Sequence, residues 1–199
     1  MISSTHALRP RLRAALFSIL LAAVAALPAV ASETVWEFQP QQSHVNWTLD
    51  TALHTVHGTF QLKSGVIRFD PATGKASGEL IVDATSGQSG NSSRDHRMHE
   101  SIILSQKYTQ IAFRPDRVDG QVAPQGQSTV QVHGTFRLLD KDHELTMPVT
   151  VDMQPAQMTA HAKVTLPYVK WGVKNPSVFL LKVNEQVEIE IAALAHTGR

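Results

Sequence analysis

Ten histidines and no cysteine stand among the 199 residues, and that imbalance decides which chemistries the chain could carry. Without cysteine there is no disulfide, thiolate metal site, cysteine nucleophile or lipid-modified cysteine. The densest polar group is His96-x-x-His99-Glu100. On a helix, positions three apart share a face. Zinc would still need a third protein ligand, and the spacing is not the His-Glu-x-x-His pattern that pairs two ligands with a base. A metal site is therefore the least favoured reading, behind solvated histidines on a surface helix and a polar role at a pocket mouth. Serine hydrolysis has no Gly-x-Ser-x-Gly elbow to work from, and Ser86-Gly87 and Ser89-Gly90 suit turns. Arg94 beside Asp95 fits a head-group contact or a helix-start cap. Trp171, in Tyr168-Val169-Lys170-Trp171-Gly172, either gates a ligand or closes the core. No catalytic residue, metal or cofactor is expected.

The chain's start carries a different message. Arg9, Arg11 and Arg13 precede an apolar run from Ala14 to Leu27, then Pro28 and the small-x-small triplet Ala29-Val30-Ala31. This is the pattern of a signal peptide over residues 1–31, cleaved after Ala31, which places the mature protein in the periplasm. The run is short of the roughly twenty apolar residues that span a bilayer, so no stable membrane insertion is expected. Removal of that segment lowers Lys+Arg from 18 to 15 against 17 Asp+Glu. A mildly acidic domain without a Lys/Arg cluster offers no footprint for nucleic acid and no polybasic patch for anionic surfaces. Residues 32–199 suit a single domain able to bury a core.

Those residues alternate with period two over most of their length, the signature of half-buried strands. Val45, Trp47 and Leu49 oppose Asn46, Thr48 and Asp50, and Val130, Val132, Gly134, Phe136 and Leu138 oppose Gln131, His133, Thr135 and Arg137. Leu145 to Met153, Ala160 to Leu166 and Val187 to Ile191 continue the pattern. Asp70-Pro71-Ala72-Thr73-Gly74 joins two such runs as a hairpin. The rhythm fails between Ser92 and Lys107, where Ser92 and Asp95 give a capping-box-like start and Met98, Ile102 and Ile103 a helical spacing, predicting one short helix near 93–105. Loops are expected at 87–91, 119–127 and 172–177. The fold class is all-β and antiparallel. Val56-His57-Gly58-Thr59-Phe60-Gln61-Leu62 recurs as Val132-His133-Gly134-Thr135-Phe136-Arg137-Leu138. Two strands that each need a glycine at a tight bend explain the echo, as does a duplicated ancestral half.

Ser43-His44-Val45 opening a strand, Val56-x-Gly58-x-Phe60, Ser93-Arg94-Asp95-His96-Arg97-Met98-His99-Glu100 leading to Tyr108 and Ile111-x-Phe113, and the late Trp171-Gly172 occur in an order that resembles the YceI-like family of lipocalin-like barrels. The resemblance covers about residues 35–194. It departs at Thr109, where a proline is usual, at 140–143, and at Tyr168, near a usual arginine. It implies an extended antiparallel β-barrel of about eight strands with a long interior pocket for a polyisoprenoid chain, such as a quinone tail or polyprenyl phosphate, and no enzyme activity.

The residues agree that such a pocket could form. Gly58, Gly78, Ala84, Gly134, Ala160 and Ala162 share parity with large apolar neighbours, so the inner face is uneven; they either leave a channel or make room for Trp47, Phe60, Phe136 and Trp171 in a solid core. The leading expectation is non-enzymatic binding of an amphiphilic lipid, as a periplasmic carrier or reservoir, with a homodimer among the allowed assemblies. Expected lipid contacts are Trp47, Phe60, Leu80, Val82, Met98, Ile102, Phe113, Phe136, Leu166 and Trp171. Arg94, His96 and His99 are the expected head-group contacts. The alternatives are a solid-core envelope stress or interaction module, and a His-based metal-dependent enzyme.

Overall fold

In the computed structural model, Met1 and residues 33–198 are described, so the expected signal peptide and cleavage point lie outside the described residues. Period-two alternation becomes nine strands: β1 Thr34–Phe38, β2 His44–Asp50, β3 Thr55–Phe69, β4 Ala76–Gln88, β5 Gln110–Asp119, β6 Gly126–Leu138, β7 Lys141–Gln154, β8 Gln157–Leu166 and β9 Val187–Thr197. Every pairing between them is antiparallel. The sheet closes because β3 pairs with both β2 and β4, while β9 pairs with β8 on one side and with β1 and β2 on the other. β1 and β2 occupy one stave, interrupted by a 3-10 turn at Pro40–Gln42, so nine strands build an eight-stave barrel. Closure leaves no long open edge to pair with another chain.

Turn chemistry fixes the hairpins. In the β3–β4 turn the Asp70 carboxylate accepts from the Ala72 N–H at 2.9 Å and the Thr73 hydroxyl at 2.7 Å. Those two donors hold the Asp70 carboxyl below its ordinary range, the Thr73 hydroxyl contributing most. Gly74 then takes φ 71°, a conformation that glycine adopts without steric cost.

The expected helix is present, with its start one residue earlier than the Ser92 frame predicts. α1 runs Ser92–Arg97 and continues as a π turn over Met98–Ile102. Asn91 is the cap: its backbone is extended and its side-chain oxygen accepts from the Arg94 N–H at 3.0 Å. Asp95 instead accepts from the Ser89 N–H at 2.8 Å, tying the helix to the end of β4. A second difference lies between β8 and β9. The expected short loop at 172–177 is part of a longer segment, 167–186, punctuated by Pro167, Gly172 and Pro176. Tyr168 anchors it, buried and donating from its hydroxyl to the Asn184 carbonyl at 2.6 Å. Burial, with Glu185 nearby, pushes the phenol up to about 12.

Inward side chains form three clusters along the barrel. Trp36, Phe38, Leu62, Ala193 and Ala195 fill one end. Phe113, Val130, Leu145, Met147, Val149 and Leu166 occupy the middle. Leu138, Tyr168 and Val173 lie where the 167–186 segment folds back over the other end. Among the described residues, no helix is long and apolar enough to cross a membrane.

Candidate functional site: an interior cavity with a polar mouth

The space between the clusters is not filled. A cavity of about 510 Å³ lies at the α1 end of the barrel, and a smaller one of about 130 Å³ lies deeper. Residues two apart on one strand share a face. Ile111 and Ile189 line the larger cavity, while Phe113 and Ile191, the next inward positions on β5 and β9, line the smaller. The two spaces therefore follow one another along the interior. The smaller wall is built from apolar side chains, including Trp36, Phe38, Met147 and Met158.

The larger wall changes character along its length. Its barrel part is apolar: Trp47 and Leu49 on β2, Val56 and Phe60 on β3, Phe136 and Leu138 on β6, and Val187 and Ile189 on β9. Exposed members of the lining mark the opening, and these are His54, Ser93 and Arg97. Arg94 joins them from α1, and Thr51, Pro176, Leu181 and Val183 complete the mouth from the β2–β3 turn and the 167–186 segment. Arg94 and Arg97 are cationic, and among the described residues no Asp or Glu is in the lining. An apolar cleft of several hundred Å³ with a few convergent polar groups is the usual form of a small-molecule site.

Both arginines also hold the mouth together. Arg94 donates from Nε to the Ser89 hydroxyl at 2.7 Å and from Nη2 to the Ser89 carbonyl at 2.9 Å, and the same hydroxyl bonds the Asp95 carboxylate. Arg97 donates from Nη2 to the Pro176 carbonyl at 3.0 Å, clasping α1 to the 167–186 segment. A guanidinium has five N–H donors, so each retains donors for a ligand oxygen. The indole N–H of Trp47 is buried without a protein partner. That nitrogen is closed off from the cavity, with the indole ring packed against Gly58, so Trp47 offers the cavity its apolar ring and not its N–H.

The expected contacts separate into three sets. Trp47, Phe60, Met98, Ile102, Phe136 and Leu166 line the larger cavity, together with Arg94. Leu80 and Phe113 line the smaller one. Val82 and Trp171 line neither. Val82 packs among Trp36, Phe38 and Leu62. Trp171 stacks on the His143 ring, centroids 4.5 Å apart, and tilts against Phe136 at 5.5 Å, so it packs into the core.

The two histidines are not in the cavity wall either. His96 faces solvent and pairs with Glu100 at 3.0 Å. His99 bonds the Ser105 hydroxyl through Nδ1 at 2.8 Å and the Gly87 carbonyl through Nε2 at 2.7 Å, which uses both ring nitrogens to fasten the helical segment to β4. Ser105 is fully buried, so this serine–histidine contact has no access to a substrate. Among the described residues no group of three His, Asp or Glu side chains converges as metal ligands would.

Sequence reasoning passed over Arg97, Tyr168 and the lining from 176–183. Arg97 had a signal, standing three residues after Arg94 on one helix face. The 176–183 residues belong to neither period, and only tertiary folding brings them to the mouth.

Comparison with known proteins adds the following. A family model described as the YceI-like domain matches residues 36–195. A polyisoprenoid binding domain from Saccharophagus degradans, described as implicated in plant cell wall breakdown, superposes with a TM-score of 0.64 at 13% identity, covering 82% of this chain and 98% of that one. BcnA of Burkholderia cenocepacia gives a TM-score of 0.64 at 17% identity over 79% of this chain and 98% of its own. A YceI protein of Campylobacter jejuni gives 0.60 at 13% identity over 74% and 87%. No curated protein sequence matches significantly. At these identities the structural likeness shows the fold.

Proposed function

This chain belongs to the YceI-like domain family, and from that premise we propose that it binds an amphiphilic isoprenoid lipid without catalysing a reaction on it, as a carrier or reservoir in the periplasm. The observation that carries the reading is the 510 Å³ cavity, apolar within the barrel and cationic at its mouth. A relative of the same fold, the Saccharophagus degradans domain, is described as polyisoprenoid binding, which supports the same ligand class here. A solid-core interaction module would leave no such interior space.

Tail and head contribute differently. Each buried CH₂ contributes roughly 0.8 kcal/mol, so several isoprene units supply around 10 kcal/mol before the cost of immobilising the chain is subtracted. The tail alone accounts for tight binding. Arg94 and Arg97 then orient an oxygen-bearing head, a quinone carbonyl or a phosphate, and discriminate between lipids by about 1–3 kcal/mol. Neither serine nor histidine in the mouth belongs to a hydrogen-bonded nucleophile–base pair, which suits binding without turnover.

Val187→Trp, which fills the larger cavity from β9, tests the reading. Delipidated Val187→Trp should retain the wild-type fold by circular dichroism and lose most uptake of a polyprenyl alcohol. A folded variant that takes up the lipid as the wild type does would place the ligand elsewhere and contradict the reading.

A further inference from the structure

Apart from the terminal Met1, the three most exposed large apolar side chains among the described residues are Phe179 at 95%, Leu180 at 84% and Leu53 at 76%. They are distant in sequence and adjacent in the fold. The Ala52 N–H donates to the Lys182 carbonyl at 2.9 Å, Thr51 bridges to Val183, and the Asn184 N–H donates to the Asp50 carbonyl at 2.9 Å. Val178 and Leu181 exchange both backbone hydrogen bonds, 2.9 and 3.1 Å, which leaves Phe179 and Leu180 as the tip of a tight turn. The Ser177 hydroxyl accepts from the Val183 N–H at 2.9 Å and fixes the base of that turn. Two built turns thus stand side by side with apolar tips in solvent.

Their position gives the exposure a purpose. Thr51, His54, Leu181 and Val183, which flank the tips, line the mouth of the larger cavity. Lys174 and Lys182 flank the apolar tip, both exposed, and no acid occurs from Lys174 to Lys182 or from Thr51 to His54. The nearest acids in sequence, Asp50 and Glu185, keep their charge but lie at the bases of the turns, past the Thr51–Val183 bridge and away from the apolar tips. No polybasic run exists in the sequence; the stretch that carries the Phe179-Leu180 tip instead has one exposed lysine on either side of it in sequence.

We infer that these two turns dock the protein on an anionic phospholipid bilayer, Phe179, Leu180 and Leu53 entering the interface while Lys174 and Lys182 meet lipid phosphates. Exposed apolar residues rimmed by polar ones mark membrane or protein contacts. Here the rim charge is positive, which complements anionic lipid, and lysine stems can lie along apolar surface with the ammonium at head-group level. Three side chains also fall well short of the roughly 1,200–2,000 Å² of a stable protein interface, which disfavours a second copy of the chain as the occupant. Docked in this way, the mouth opens onto the bilayer, and an isoprenoid tail can pass between membrane and cavity with little exposure to water. The inference rests on the lipid-binding reading for its purpose and on the two turns for its evidence.

Flotation with vesicles tests it, using the full chain loaded with a polyprenyl alcohol and the same protein delipidated. Wild type should float with phosphatidylethanolamine–phosphatidylglycerol vesicles and much less with phosphatidylcholine vesicles, and added salt should weaken the binding. Leu53→Ser/Phe179→Ser/Leu180→Ser should lower affinity at least about tenfold, since each side chain loses its apolar transfer. Lys174→Glu/Lys182→Glu should abolish the preference for phosphatidylglycerol. Neither set should alter melting temperature or the isoprenoid content read by native mass spectrometry. Absence of wild-type flotation, equal flotation with both vesicle types, equal flotation of wild type and the triple variant, or a dimer that the triple variant abolishes would each overturn the docking surface. Failure to load isoprenoid would overturn the lipid-binding reading, while the delipidated protein still decides the docking surface.

Discussion

The heptapeptides Val56–Leu62 and Val132–Leu138 share Val-His-Gly-Thr-Phe-x-Leu, yet the barrel uses them differently. Gly58 faces Trp47 across β2–β3, and a Cβ there would lie 2.2 Å from the indole ring and 2.4 Å from the Gln88 carbonyl oxygen. Gly134 faces Pro115 across β5–β6 where β5 shifts register, and a Cβ there would meet the Arg114 carbonyl oxygen at 2.3 Å and Pro115 Cα at 2.7 Å. The first glycine makes room for a side chain of the cavity wall; the second lets a neighbouring backbone approach at a bulge. The histidines diverge too, His57 bonding the Thr48 hydroxyl at 3.1 Å and His133 the Asp116 carboxylate at 2.7 Å. Phe60 and Phe136 both line the larger cavity, but Phe60 pairs with Val45 and Phe136 with His143. Identical residue types can thus satisfy different local demands, and close approach at a glycine explains both copies without a common origin.

The largest effect should come from Gly134→Ala. Its obstacle is backbone on both counts, so relief requires β5 to move, and we expect a loss of about 3 kcal/mol or more by urea denaturation. Truncating neighbouring side chains should not restore it. A loss below about 1 kcal/mol would show that β5 has slack at the bulge.

Gly58→Ala should cost about 1–3 kcal/mol, because a ring can tilt where a backbone cannot. Combining it with Trp47→Leu should recover part of that cost in a double-mutant cycle, with the remainder owed to the Gln88 carbonyl. Strict additivity would contradict the account of Gly58 as space for the indole.

A smaller effect separates Phe136's partner from Phe60's. His143 stacks on Trp171 with Nε2 buried and unpartnered, and desolvation lowers its pKa from the usual 6.5, Lys141 adding to the shift and Asp142 opposing it. The folded protein therefore holds this ring neutral after the unfolded chain would take a proton. Stability should be insensitive to this group above 6.5 and fall as pH drops below it. His143→Phe keeps the stack and removes the titration, so its melting temperature should decline less than that of wild type between neutral and mildly acidic pH. Parallel curves would show that His143 contributes nothing to acid sensitivity.

The strands were legible because alternation specifies which face is buried, whereas closure into a barrel was expected from the family resemblance, since a sandwich would alternate in the same way. The helix was legible from the break in rhythm, although Asn91 rather than Ser92 caps it; choosing between adjacent capping residues requires the backbone angles that only the folded turn supplies. Six of the ten expected lipid contacts line the larger cavity because parity and apolarity suffice for wall positions. His99 misled because polarity near a helix says nothing of which partners are in reach, and Ser105 and Gly87 claim both its ring nitrogens. Trp171, expected either to contact a ligand or to close the core, packs into the core through the fold of 167–186 over His143, a contact with no local signature. The same holds for Arg97's clasp on Pro176, which joins residues 79 apart.

Native mass spectrometry of the protein purified without detergent, followed by extraction and identification of any released lipid, tests the central claim most directly. A bound mass equal to one isoprenoid lipid per chain, retained by wild type and lost in Val187→Trp, is the predicted result. Protein of bare polypeptide mass that also stays empty after exposure to polyprenyl alcohols, polyprenyl phosphates and quinones would contradict it.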